Sequence, residues 1–289
     1  YPDDDAFIEK LLPLYLQRRA WDSEVLPLAM FYQRVQFFRD RRLRRFLKKV
    51  FRDCSAFKCQ HSWRSYRVYD RSMESAEMLE FLANQDASLQ HPGTRYLKQG
   101  NTCTLWTTPV DGRELVVKRY NIKSLSHRIG RALRQTRAAV SWMNAHRLWM
   151  YGILTARPVA LLEERFGPLR GRAWYISEFV AGADASSLCG QAMLDKAGQI
   201  GAAQKLAGLL AQLALSRLSH GDMKATNFIL SERGAVVIDL DAMRKHDDAE
   251  SFQRAQRRDL RRFMRNWEAC PETRAIFAEM LRASKLAAE

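Results

Sequence analysis

Apolar positions recur at helical spacing early in the chain: Phe31, Val35 and Phe38, then Leu43, Phe46, Leu47 and Val50, with arginines on the other face. The chain therefore reads as helical from Tyr1 to about Gln85, with Glu74–Ala83 as one more helix. Turn chemistry follows at Asn84, Asp86, Ser88, His91, Pro92 and Gly93, and a domain boundary is expected there, at about residue 88. Beyond it the pattern becomes that of short strands: Arg95–Lys98, Cys103–Thr108, a hairpin turn at Val110-Asp-Gly-Arg113, and Glu114–Tyr120. Residues 123–150 predict a long helix, Trp174–Val180 a last apolar strand, and Gln199–Arg217 an apolar helix. Phe228–Leu230 and Val236–Leu240 pair about a turn at Glu232–Gly234, and Phe252–Trp267 and Pro271–Ala287 read as helices. This order predicts an α+β, bilobal fold over residues 89–289: a small antiparallel sheet lobe (94–177), a hinge (178–184) and a helical lobe (185–289), with a basic helical segment (1–88) in front.

With 289 residues the chain can bury a sizeable core, and its 47% hydrophobic content argues against disorder. No apolar run reaches the 18 residues of a membrane-spanning helix, the best being Leu206–Leu215, so a soluble or peripheral protein is expected. No secretory leader opens it, and Tyr1 reads as a trimmed or processed start. Five widely spaced cysteines suggest free thiols in a reducing cytoplasm. Cys54, Cys59 and His61 lack the second ligand pair that zinc requires.

The formal charge of +15 points to a polyanionic partner: nucleic acid, an anionic membrane surface or a phosphorylated glycolipid. Between Arg18 and Arg71 there are 15 Lys or Arg against 5 Asp or Glu. Interleaved Trp21, Phe31, Phe37, Trp63 and Tyr66 allow an interfacial membrane contact beside the plainer reading of a solvated helix face. Charge permits nucleic-acid binding, but no recognised nucleic-acid module is present.

The candidate chemistry lies between Ser219 and Asp241. Asp222, Lys224 and Asn227 share one loop, and an apolar strand then ends in Asp239. Phosphoryl transfer needs a carboxylate to orient the acceptor hydroxyl, oxygen ligands for magnesium, and positive charge near the transferred group. Asp222 fits the first role, Asn227 and Asp239 the second, and Lys224 the third. Lys118 on an apolar strand needs a partner for its charge, which the phosphates of ATP would supply. Gly100, Asn101 and Thr102 lie between the first two strands of the sheet lobe, where a loop can fold over phosphates. Glu178 and Val180 fall in the hinge whose backbone would meet adenine. No Asp or Glu occurs between Glu114 and Glu163, so Lys118 has no helix glutamate; Ser141 stands where one is expected, and Asp239 is the nearest substitute. Ala269-Cys-Pro-Glu272 imitates the end of a protein-kinase activation segment, but the helical stretch before it leaves little room for one, and glycine at 221 agrees.

His220-Gly-Asp-x-Lys-x-x-Asn with Ile238-Asp-Leu-Asp resembles the lipopolysaccharide core kinases, the heptose and Kdo kinase family of Gram-negative bacteria. Ser141-Trp-x-x-x-His-Arg-Leu, Gly152-Ile and Arg157-Pro are similar to the helix after that family's lysine strand, where Glu-Trp is usual. The resemblance covers about residues 94–267 and implies a cytoplasmic enzyme, peripheral to the inner membrane, that phosphorylates a heptose or Kdo of the lipopolysaccharide core or lipid A-core with ATP and Mg2+. Arg41-Arg-Leu-Arg-Arg-Phe-Leu-Lys-Lys-Val-Phe-Arg-Asp-Cys54 is similar to closing segments of such kinases, which would make residues 1–88 the tail of a preceding module. Two readings compete: a small-molecule kinase of the aminoglycoside or choline type, against which the lack of acids over 115–162 counts, and a pseudokinase scaffold, for which the missing glutamate speaks.

Overall fold

The computed structural model describes residues 3–19, 28–121, 134–189, 196–284 and 286. Two helices come first, α1 (Asp3–Arg18) and α2 (Leu28–Lys49). The strands β1 (Phe57–His61) and β2 (Ser65–Asp70) lead to α3 (Ala76–Ala83), then to β3 (Arg95–Gln99), β4 (Cys103–Val110) and β5 (Arg113–Tyr120). Helix α4 (Arg137–Met150) precedes β6 (Pro158–Phe166) and β7 (Leu169–Glu178). The helical lobe contains β8 (Ala183–Asp184), α5 (Lys196–Leu215), β9 (Leu218–Ser219), the hairpin β10 (Phe228–Ser231) and β11 (Gly234–Val237), β12 (Arg244–Lys245), α6 (Ala249–Arg265) and α7 (Pro271–Ala283).

Seven strands form one antiparallel sheet in the order β1-β2-β6-β7-β5-β4-β3. Alternation along β7 sends Trp174 and Ile176 into the core under α3, with Met78, Phe81 and Leu82, while Ala173 and Tyr175 join Trp142, Ala145 and Leu148 of α4 on the other side. Both faces are thereby covered, and the sheet lobe is an α+β layer structure beside a helical lobe, as expected from the order of elements.

Residues 57–70 differ from the helical expectation. They form β1 and β2, which bury Phe57, Val68 and Tyr69 and leave Gln60 and His61 exposed, and β2 pairs with β6 from Ser65↔Glu164 to Tyr69↔Ala160. The sheet thus spans the boundary expected at 88. The second amino-terminal helix packs on α4, and just past its end the Val50 carbonyl accepts the Trp142 indole N–H at 2.8 Å. Phe38, expected on that apolar stripe, is exposed together with Phe37. Trp21 and the part of the long helix expected over 123–133 lie outside the described residues; α4 begins after Thr136, whose hydroxyl accepts the Ala139 amide proton.

The cysteines depart from expectation as well. Cys189 and Cys270 are joined as a disulfide that ties the segment after β8 to the start of α7, whereas Cys54, Cys59 and Cys103 are free thiols. Their Cα atoms lie 5.7 Å apart, a proximity created by the packing of the helical lobe over a sequence separation of 81. Among the described residues no helix is long and apolar enough to cross a membrane.

Candidate active site

The loop after β9 is held from below by a buried carboxylate. Asp259, on α6, accepts the His220 amide at 2.6 Å and the Gly221 amide at 3.0 Å. Burial pushes its carboxyl above the usual value, against the pull of those two amides. Gly221 is required here: its φ is +82°, and a Cβ would stand 2.9 Å from the Ala242 carbonyl oxygen. His220 is buried, and its Nε2 lies 2.9 Å from the Ile238 carbonyl, which can only accept; Nε2 therefore carries the proton, and Nδ1 accepts the Asp222 amide at 3.3 Å. One imidazole so links the loop to the strand that ends in Asp239.

Asp222 is left with its carboxylate facing two cations. Lys224 Nζ lies 2.9 Å from Oδ2, and Arg262 of α6 lies 2.6 Å from Oδ1. Lys224 is thus folded onto Asp222. The Asn227 amide nitrogen donates to the Asp222 carbonyl at 2.8 Å, which fixes the loop and leaves the amide oxygen as the group free to ligate.

Across the cleft, Asp239 sits at a left-handed turn, with φ 61°, immediately after the β10–β11 hairpin. Lys118 of β5 bonds Asp239 and also Asp241, the latter at 3.1 Å. Arg137 of α4 grips the same Asp241 oxygen at 2.8 Å, and Asn144 of α4 donates to the Leu240 and Met243 carbonyls at 3.0 Å each. The helix therefore engages the Asp239 segment through an arginine and an amide. Ser141 bonds the Tyr120 hydroxyl instead, at 3.1 Å. Burial works against the Lys118 ammonium, but the attraction of Tyr120, Asp239 and Asp241 holds its pKa above the usual lysine value. Burial likewise favours neutral Asp239, and the Lys118 charge overrides it and holds the carboxyl below the ordinary range.

Between these walls runs a cleft of about 380 Å³, lined by Leu97, Leu105, Val116, Ile229 and Ile238, with Lys118, Asn227 and Asp239 at its polar end. Apolar walls with a few convergent polar groups, in the volume range of about 300–1,000 Å³, suit a nucleotide-sized ligand. Glu178 and Val180 both line it. The Glu178 amide is committed to the Arg157 carbonyl and the Phe179 amide to Glu114, whereas the Val180 amide makes no hydrogen bond among the described residues. Gly100, Asn101 and Thr102 do not line the cleft. Their loop closes on itself, with the Gly100 amide donating to the Cys103 carbonyl at 3.1 Å, and the neighbouring Lys98 and Cys103 face the cavity instead.

The site thus brings Lys118, Asn227, Asp239, Glu178 and Val180 to one cleft and sets Asp222 and Lys224 on the adjoining loop. Sequence reasoning missed Asp241, Arg137, Asp259 and Arg262. Only Asp241 left a local signal, as a second acid two residues after Asp239 in a chain whose strand lysine lacks a helix partner. Asp239 and Asn227 supply the carboxylate and amide oxygens that a hard divalent cation prefers, so the residues present fit magnesium. The family model described as lipopolysaccharide kinase (Kdo/WaaP) family matches residues 80–283. No curated protein matches the chain.

Proposed function

The chain belongs to the lipopolysaccharide kinase (Kdo/WaaP) family, and from that premise we propose that it transfers the γ-phosphoryl group of ATP to a hydroxyl of a heptose or Kdo in the lipopolysaccharide inner core. The observation that carries this reading is the placement of Asp222 on a loop tied by Asn227 and His220 to the wall that bears Asp239 and Lys118. Adenine would stack between the apolar walls, with the free Val180 amide on its edge, and Lys118 would hold the α- and β-phosphates. Magnesium, held by Asp239 and Asn227, would neutralise phosphate charge there. Asp222 orients the acceptor hydroxyl and takes its proton, while Lys224 and Arg262, both on its carboxylate, stand ready to meet the negative charge of the incoming phosphoryl group.

The surroundings of Asp222 weigh against a cationic acceptor. Guanidinium and ammonium groups beside the base would repel an aminoglycoside or choline and attract an acidic saccharide. The missing helix glutamate no longer argues for a scaffold by itself, since Asp241 occupies the Lys118 ammonium in its place. Incubation of the protein with labelled ATP, Mg2+ and purified core oligosaccharide tests the proposal. Label should move to the saccharide; label transfer to an aminoglycoside or choline but not to core would overturn it.

A further inference from the structure

Below the catalytic loop a groove of about 1190 Å³ opens between α6, α7 and the β9–β12 pair, three times the nucleotide cleft and too large for a nucleotide alone. Seven of its lining residues are arginines. On α6, Arg258, Arg261, Arg262 and Arg265 follow one another at helical spacing on a single stripe, and Arg244 and Arg274 face them from β12 and α7.

Little in the fold neutralises this stripe. Of the two lining acids, Asp259 is 5% exposed and already accepts the His220 and Gly221 amides, which leaves Glu268. Among the described residues Arg244, Arg261, Arg265 and Arg274 make no ion pair within 4.0 Å, although Arg262 does, with Asp222 at 2.6 Å. Like charges three and four residues apart destabilise a helix. Their cost is offset when an anion binds, and guanidinium forks match carboxylates and phosphates in pairs.

We propose that this groove is the acceptor subsite, holding carboxylate or phosphate groups of an acidic oligosaccharide so that a neighbouring hydroxyl reaches Asp222, with Arg262 as the hinge point shared by groove and base. The proposal rests on the kinase reading only for the reaction that follows. The groove is concave, which suits an oligosaccharide better than a flat bilayer surface, and it reaches the base through Gly221 and Arg262, which line it next to Asp222 in the chain and at 2.6 Å from the Asp222 carboxylate respectively.

The test is direct binding by titration calorimetry of the full chain with lipid-free core oligosaccharide, the same saccharide stripped of phosphate, inorganic phosphate, and a single-stranded oligonucleotide of equal charge. The triple variant Arg258→Gln, Arg261→Gln, Arg265→Gln should lose about a hundredfold in affinity for the core saccharide, the scale of two charge-assisted contacts. An unchanged rise in melting temperature with Mg–ATP shows that the variant is folded, and Arg244→Gln with Arg274→Gln, on other elements, should shift affinity in the same direction. Retained binding of the stripped saccharide assigns the anions to carboxylates, and lost binding assigns them to phosphates; either supports the subsite. Unchanged affinity in both variants, or equal binding of oligonucleotide or of inorganic phosphate, overturns it. A protein that binds core through these arginines yet transfers nothing to it keeps the subsite and loses the kinase reading. Transfer with an unaltered KM for core in the triple variant does the reverse.

Discussion

Lys118 shares its charge between two carboxylates, and that division decides what each of them does. If Asp239 turns to a metal, Asp241 remains on the ammonium, itself held by Arg137. Asp241→Asn should therefore weaken Mg–ATP binding about tenfold, the scale of one charge-assisted hydrogen bond, while leaving the Asp239 ligand in place; an unchanged affinity in a nucleotide titration would remove Asp241 from the site. The pair also sets a pH window. Asp239 has a lowered folded pKa, so its contribution is present above the unfolded value near 4 and lost in acid; Lys118 has a raised one, so its contribution is lost only above the lysine range near 10. Stability between these limits varies for another reason. His146 is buried among Phe46, Phe57 and Trp142, and burial lowers its pKa to about 3. Below about pH 6.5 the unfolded chain takes up a proton that the folded one refuses, so stability falls with pH by at most about 1.4 kcal/mol per unit. Denaturant titrations from pH 7 to 4.5 should show that slope, and His146→Phe should flatten it; the same slope in the variant would point to other groups.

At the scale of elements, Gly221 leaves no room for a side chain. Gly221→Ala should cost about 1–3 kcal/mol of stability, since both the left-handed backbone and the Ala242 carbonyl oppose a side chain; a melting temperature equal to wild type would show that the loop can move aside. How much of this was legible beforehand follows from how far apart the interacting residues lie. The loop from His220 to Asn227 and the hairpin that delivers Asp239 are contiguous, so fixed offsets exposed them. Asp259 and Arg262 act on the loop from α6, and Arg137 on Asp241 from α4, over separations that no local pattern encodes. The strands β1 and β2 were hidden for a different reason: they are only five and six residues long and carry Lys58 and Arg67, so the helical basic pattern before them ran on across them. The sheet then assembles from strands distant in sequence, β2 against β6, and only the fold reveals that residues 57–70 belong with it.

At the scale of the whole molecule, two surfaces among the described residues are rich in positive charge, the α6–α7 groove and the exposed face of α2. Phe37 and Phe38 stand out from α2 at 56% and 59% exposure beside Arg41 and Arg42. Such a face suits an anionic bilayer, each basic residue near the surface contributing about 1 kcal/mol. Binding to phosphatidylglycerol vesicles should fall at high salt and with Phe37→Ser, Phe38→Ser, Arg41→Gln and Arg42→Gln combined; vesicle binding unaffected by these changes would make α2 a packing element only. Truncation is a poorer probe, because removal as far as Arg71 would strip two strands from the sheet. The role of Asp222 in phosphoryl transfer to a core sugar can be read from single-turnover transfer of label from ATP to purified core oligosaccharide. Asp222→Asn should lower that rate by about a hundredfold or more, as loss of a general base does, while Mg–ATP affinity stays within about twofold of wild type. Equal single-turnover rates in wild type and variant, or a wild type that binds ATP and passes no phosphate to any core saccharide, would contradict it.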